Sequence, residues 1–231
     1  MVRACIFDVF GSLVDWRSSV ARHVGAVFAE EGIAGDPVAI AVDWRAEYQP
    51  GMERVRSGAR GYVPLEVLHL ENLGHVLERH GLEHLGADVR KRLNLAWERL
   101  DPWPDIPGGL IAVREKALVA PCSNGSTAMM ARLARHGGLH WDAICGADVA
   151  RDYKPKPEVY LASARILGLE PGEVMMVAAH NDDLFAAREA GLRTGFFPRR
   201  TEHGPDQAID LEAEGDWDIV AADLPDLARQ L

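Results

Sequence analysis

The spacing of apolar residues changes twice along the chain. Residues 2–7, Val-Arg-Ala-Cys-Ile-Phe, form a short run that ends at Asp8 and a turn, Val9-Phe10-Gly11-Ser12-Leu13. A run of that length before a glycine turn predicts a buried strand. From Ser18 to Glu31 the apolar positions Val20, Val24, Val27 and Phe28 fall at helical spacing, and Gly32 stops them. Asp36-Pro37 opens a second helix through Val38, Ile40, Val42 and Trp44, interrupted by a loop at Ser57–Gly61. Leu65–His80 and Asp88–Leu100 predict two more helices, the first ending at Gly81. No strand pattern occurs between about Trp16 and Leu100. The block reads as a helical insertion.

Residues 101–109, Asp-Pro-Trp-Pro-Asp-Ile-Pro-Gly-Gly, hold too much proline to continue a helix and mark a return linker. Beyond it the pattern predicts helix Gly109–Lys116, strand Ala117–Cys122, helix Thr127–His136, a strand near Ala143–Gly146 and helix Pro157–Leu167. Strand Val174–Ala179, helix Asp183–Ala190 and strand Thr194–Phe197 follow. Such alternation predicts an α/β fold, a Rossmann-like parallel sheet covered on both faces, with an inserted all-helical cap. Residues 1–15 and 101–231 then form the core domain, and residues 16–100 the cap. The polar, acidic stretch Thr201–Asp218 reads as a surface excursion before a final helix, Leu224–Leu231.

With 231 residues the chain is long enough for one large domain or one domain with an insertion. Its 25 basic and 35 acidic residues give a formal charge of −10, which argues against binding a nucleic-acid backbone. A local positive pocket for a small anion remains compatible with that charge. Cys5, Cys122 and Cys145 have no C-x-x-C spacing and read as reduced core thiols, which predicts a cytoplasmic protein. No signal-peptide pattern and no apolar stretch of membrane-spanning length is present, so no membrane partner is expected.

Active sites of open parallel sheets lie beyond the carboxyl ends of the strands. That rule selects Asp8, Ser123-Asn124, the Lys154 region and His180 to Asp183. Asp8 is either a turn cap or a nucleophile that a nearby cation keeps ionised. Ser123-Asn124-Gly125-Ser126 is either a helix cap or an anion cradle. Lys154, held before Pro155, can place an ammonium beside Asp8, with Lys156 as the outlying competitor. Asp182-Asp183 is an acidic helix start or a metal pair, and His180 an acid–base group or a satisfied strand-end residue.

These four segments, in this order and with a helical block directly after the first, resemble the haloacid dehalogenase superfamily. Most members resemble phosphatases with Asp-x-Asp at the first segment and a carboxylate opening the last, which serve as acid and Mg²⁺ ligand. Here those positions are Phe10 and Ala179. These departures resemble the L-2-haloacid dehalogenase branch, which implies a metal-free enzyme with no cofactor, acting on a short 2-haloacid and releasing halide. The resemblance implies that Asp8 attacks C2 and that Arg45, after Trp44 in the second cap helix, accepts the halide with Asn124. Asp183 becomes the base for ester hydrolysis, Lys154 orients both carboxylates, and Ser123 holds the substrate carboxylate with the turn amides. Val9, Phe10, Ser12 and Tyr160 are the remaining substrate-contact positions so implied. His180 stands where the branch often has Asn, which implies a changed contact on the water or halide side. Related enzymes are often dimeric, so a homodimer is expected. The competing readings are a small-metabolite phosphatase and a catalytically silent binding member of the same fold.

Overall fold

The computed structural model describes all of residues 1–231. Strand β1 (Ala4–Phe7) ends at Asp8, and after a tight turn β2 (Val14–Asp15) leads into five helices: α1 (Trp16–Glu31), α2 (Pro37–Ala46), α3 (Tyr48–Arg56), α4 (Leu65–Arg79) and α5 (Ala87–Asn94). A 3-10 turn at Leu95–Glu98 precedes β3 (Asp101–Pro102). The chain then runs through α6 (Ile106–Arg114), β4 (Leu118–Pro121), α7 (Thr127–Gly137), α8 (Ala147–Ala150), α9 (Pro157–Ile166) and β5 (Val174–Ala178). It closes with α10 (Asn181–Glu189), β6 (Arg193–Phe196), β7 (Ile219–Val220) and α11 (Leu224–Gln230).

Five strands pair in parallel in the order β4-β1-β5-β6-β7. Because side chains alternate across a strand, β1 feeds two separate cores. Cys5 and Phe7 join Leu110 and Val113 of α6, Leu133 of α7 and Leu227 of α11 on one face. Ala4 and Ile6 join Val159 and Ala164 of α9 and Leu184 and Ala187 of α10 on the other. With both faces covered, function is confined to the strand ends. β2 and β3 pair antiparallel, so the segments leaving and re-entering the sheet side by side are hydrogen-bonded to each other. Trp103, just past β3, donates its amide to the Leu13 carbonyl at 3.0 Å and its indole N–H to the Gly11 carbonyl at 2.8 Å. The turn that carries Asp8 is thereby braced from the linker.

Helix starts follow the sequence signals. Asp15 accepts from the Ser18 amide at 2.9 Å, and Asp36 accepts from Val38 and Ala39 at 2.9 and 3.2 Å with Pro37 at the first helical position. The helices between residues 16 and 98 bury their apolar faces around Trp44 and Trp97, whose rings meet edge to face at 5.6 Å.

Four expectations need revision. The second helix is two, because Pro50 cannot sit in a continuous helix without its ring striking the carbonyl four residues back; the chain breaks at Glu47 and restarts with Pro50 in the first turn of α3. Asp88–Leu100 is α5 followed by a tightened turn. The strand near Ala143–Gly146 is reduced to one bridge between Cys122 and Cys145. Asp142 explains this, since its backbone amide and its carboxylate both bind Val119, at 2.9 and 3.0 Å, taking the edge bonds of β4. Finally, Thr201–Asp218 is more than a surface excursion: Glu202 and Trp217 are buried within it, and β7 follows it as a fifth strand too short to pattern.

Phe7 fills the first core beneath the nucleophile turn, with its ring centroid 5.8 Å from Trp141. Phe7→Ala is expected to lower the unfolding free energy by about 3–5 kcal/mol, measured as a shift of the urea midpoint at unchanged slope.

Candidate active site

The carboxyl ends of β1, β4 and β5 converge on one cavity of about 740 Å³, together with Arg45 of α2 and Tyr48 and Gln49 of α3. Asp8, Phe10, Arg45, Asn124, Lys154, Tyr160, His180 and Asp183 all line it.

Lys154 sits at the centre. Its ammonium is 2.8 Å from Asp8 Oδ1 and 2.5 Å from Asp183 Oδ2, with all three side chains 8% exposed. Its own backbone is clamped: the Lys154 amide donates to Asn124 Oδ1 at 2.8 Å, and Arg56 of α3 donates to its carbonyl at 2.7 Å. Burial opposes charge on Lys154, but Asp183 and Asp8 outweigh it and hold the ammonium well above its ordinary range. Burial likewise pushes Asp8 up, and here Lys154 and His180 reverse it, so the carboxyl lies below the usual carboxylate range. Asp183 ends above its ordinary value, because burial and the Asp8 charge exceed the pull of Lys154. The two carboxylates thus differ: Asp8 is the firmly ionised one, and Asp183 is the readier proton acceptor. Tyr160, kept neutral chiefly by burial, donates to Asp183 Oδ1 at 2.5 Å.

Asp8 Oδ2 is held separately. Ser12 donates to it at 2.6 Å while accepting from the Ala179 amide at 2.9 Å, so the hydroxyl is fixed in one direction. His180 Nδ1 lies 3.1 Å from the same oxygen. Its Nε2 is 2.8 Å from Glu202 Oε2, a partner contributed by the stretch after β6. Burial alone lowers the His180 value, but Glu202 and Asp8 raise it well above the ordinary imidazole range.

Arg45, on α2, lies with its guanidinium carbon 4.1 Å from the Tyr48 ring centroid and 5.6 Å from that of Trp16. It enters no salt bridge, and its Nε is buried without a hydrogen-bond partner. An arginine facing a cavity with no carboxylate of its own is an anion receptor. Asn124 reaches the same wall, donating to Tyr48 Oη at 3.1 Å. Phe10 packs edge-on to Tyr48, His69 and Trp97, closing the cap side with aromatic surface.

Some expected contacts fall elsewhere. Ser123 accepts from the Gly125 amide at 3.1 Å and is not on the cavity wall; it shapes the turn that presents Asn124. The Val9 side chain belongs to the core, so only its backbone can face a ligand. Ser12 reaches Asp8, and Tyr160 reaches Asp183, as described. His180 has both nitrogens engaged by carboxylates, on the nucleophile side of the cavity. Asp182 is exposed at the rim and accepts from the Asp183 amide at 2.8 Å. No group of three or more His, Cys, Asp and Glu side chains is arranged to hold a metal ion, and Phe10 and Ala179 supply no donor beside Asp8. Tyr48 and Glu202 were not anticipated. Tyr48 stands three residues after Arg45, one helical turn on, and that spacing was available; Glu202 carried no local signal.

An Asp on a braced turn at the end of the first strand, a lysine bridging two carboxylates and a helical cap over a parallel sheet are the features of a haloacid dehalogenase-like hydrolase. The profile of that family matches residues 2–191, and the chain belongs to it. Within the family it falls in the L-2-haloacid dehalogenase branch. It is 30% identical over 196 residues, 84% of this chain and 83% of the relative, to (S)-2-haloacid dehalogenase 1 of Pseudomonas sp. strain CBS-3. It superposes with TM-score 0.98 and 47% identity, over 100% of this chain and 95% of the other, on a defluorinating L-2-haloacid dehalogenase. The L-2-haloacid dehalogenase of Xanthobacter autotrophicus with chloropropionic acid covalently bound matches with TM-score 0.82 and 26% identity, over 99% and 98% of the two chains.

Removing Lys154 leaves two buried carboxylates facing each other. Lys154→Met is expected to lower stability by about 3–5 kcal/mol near neutral pH. Without the cation, burial and repulsion raise a folded-state carboxyl above its unfolded value, so the folded state binds the extra proton. Urea unfolding of this variant should therefore show stability rising as the pH falls from about 7 to about 5.

Proposed function

We propose that this chain hydrolyses short L-2-haloacids, such as haloacetate and L-2-halopropionate, to 2-hydroxy acids with inversion, through an ester on Asp8. The observation that carries the reading is a carboxylate held ionised by Lys154, lining the same cavity as an arginine with no carboxylate partner. An anion bearing a carbon–halogen bond fits that pair, because displacement needs a nucleophile at one end and an anion receptor at the other.

Asp8 attacks C2 opposite the halogen. The carbon–oxygen bond forms as the carbon–halogen bond breaks, and the electron pair leaves with the halide toward Arg45, Asn124 and Tyr48. A halide leaves without a proton, so Phe10 in place of an acid costs nothing, and its ring keeps water from the developing charge. The turn amides at Val9 and Phe10 bind the substrate carboxylate. Asp183, the readier proton acceptor, then activates water against the ester, positioned by Lys154 and Tyr160. Phe10 stands where a phosphatase would have its proton-donating acid and Ala179 where it would have a Mg²⁺-holding carboxylate, which separates this site from phosphoryl transfer.

The same reading takes residues 1–15 with 101–231 as the catalytic core unit and 16–100 as the cap. Val38 and Val67, 41% and 40% exposed on cap helices, are apolar surface that supports a homodimer as the assembled form. Three buried free thiols support action in the reducing cytoplasm. No helix is long and apolar enough to cross a membrane. Fluoride is included among the halides released, supported by the 47% identity to a structure named for defluorination.

Purified protein incubated with EDTA and each enantiomer of 2-chloropropionate should release chloride from the L form alone, giving D-lactate. Metal-dependent phosphate release from a general phosphate ester, with no halide release, would sink the reading. Asp8→Asn should abolish turnover; retained activity would mean another nucleophile. With fluoroacetate, a fluoride electrode should register release that also depends on Asp8.

A further inference from the structure

The two oxygens of Asp8 are held by different kinds of donor. Oδ1 has only Lys154, which it shares with Asp183, so that oxygen can surrender its donor without leaving the ammonium unpaired. Oδ2 faces two groups of its own: Ser12 donates to it at 2.6 Å, and His180 Nδ1 lies 3.1 Å away. Oδ1 is therefore the atom free to attack carbon, and Oδ2 the one that remains a carbonyl in the ester.

His180 stands between two carboxylates, Asp8 at Nδ1 and Glu202 at Nε2. A carboxylate only accepts, so an imidazole facing one at each nitrogen carries a proton on both. Glu202 is not free to turn away. Its other oxygen accepts from Trp16 Nε1 at 2.9 Å, and its side chain is 2% exposed. The chain gives it room at Gly11, where φ is +92° and a Cβ would lie 2.1 Å from Glu202 Oε1. The other charged or titratable groups around the pair are His203, 3.6 Å from Glu202 Oε1, Arg45 from the cap, and Lys154 and Asp183 across Asp8.

We propose that Glu202 is a positioning residue that keeps His180 doubly protonated against Asp8 Oδ2, so that His180 and Ser12 together stabilise the oxyanion formed when water attacks the ester. This deepens the proposed function and rests on Asp8 being the nucleophile. Water oxygen bonds to Asp8 Cγ, its proton passes to Asp183, and the carbonyl pair moves onto Oδ2 between the His180 Nδ1–H and the Ser12 hydroxyl. The pair then returns, the bond from Cγ to Oδ1 breaks, and Oδ1 leaves in the 2-hydroxy acid with the proton from Asp183. Asp8 is restored with the water oxygen and releases the second water proton to solvent, so that one proton and one halide ion leave for each 2-hydroxy acid formed. His180 gives up no proton in the cycle.

Histidine ¹⁵N spectra of the wild-type protein, with His180 assigned by its absence in His180→Asn, test the proton count without turnover. Both nitrogens should stay protonated well above neutrality; a singly protonated ring at about pH 7 overturns the proposal. In Glu202→Gln, hydrolysis should become limiting: kcat falls about 10-fold or more, toward the 10²–10³ seen when an oxyanion donor is lost, with little change in KM. Ester should accumulate on Asp8 by mass spectrometry, and activity should decline as pH rises through neutrality, where the wild type does not. In a His180→Asn background the Glu202→Gln change should matter about twofold or less. An equal loss in both backgrounds would make Glu202 a structural residue only and overturn the proposal. If Glu202→Gln does not fold, the wild-type spectra decide alone. Failure of the wild type to release any halide would defeat the proposed function, while the His180 proton count is read independently of it.

Discussion

One ammonium between two buried carboxylates organises this structure. Lys154 is clamped through its amide by Asn124 and through its carbonyl by Arg56, so cap and core both fix where its charge lies. From that point the two carboxylates acquire opposite chemistry. Asp8, additionally held by Ser12 and His180, stays ionised and able to attack, whereas Asp183, beside a neutral Tyr160, keeps a greater affinity for a proton. Two identical side chains take opposite proton affinities because their neighbours differ, which is the division of labour the proposed reaction uses. The sheet supplies the rest: parallel pairing of β4, β1 and β5 brings residues 8, 124 and 179 to one edge.

The charges buried around the cavity balance when His180 is protonated. Asp8, Asp183 and Glu202 are offset by Lys154, His180 and Arg45. Such balance in a low-dielectric site lets each group remain ionised, where any one alone would neutralise. Arg45 is the one of these six without an ion-pair partner, and under the proposed reaction it is the end toward which the halide departs.

Much of this was legible in the sequence. Asp8 directly follows β1, Asp183 stands in the first turn of the helix after β5, Lys154 precedes Pro155 just ahead of α9, and Arg45 follows Trp44 on a helix whose period was clear. The α/β alternation and the helical block were readable because both repeat over many residues. Features set by single side chains were not. Asp142 removes a strand by taking its edge bonds, and Pro50 splits a helix within an otherwise continuous pattern. Ser12 and Tyr160 read as substrate contacts, yet their hydroxyls point to the carboxylates that do the chemistry. Glu202 was invisible because its partners are 22 and 186 residues away, inside a stretch whose acidity resembles an ordinary solvated loop.

The absent side chain at Gly11 has a consequence for how such a site can change over generations. Any larger residue there would occupy the space of the Glu202 carboxylate, and loss of that carboxylate removes the acceptor that faces His180 Nε2. Positions 11, 180 and 202 are therefore coupled by sterics and charge although they are scattered along the chain.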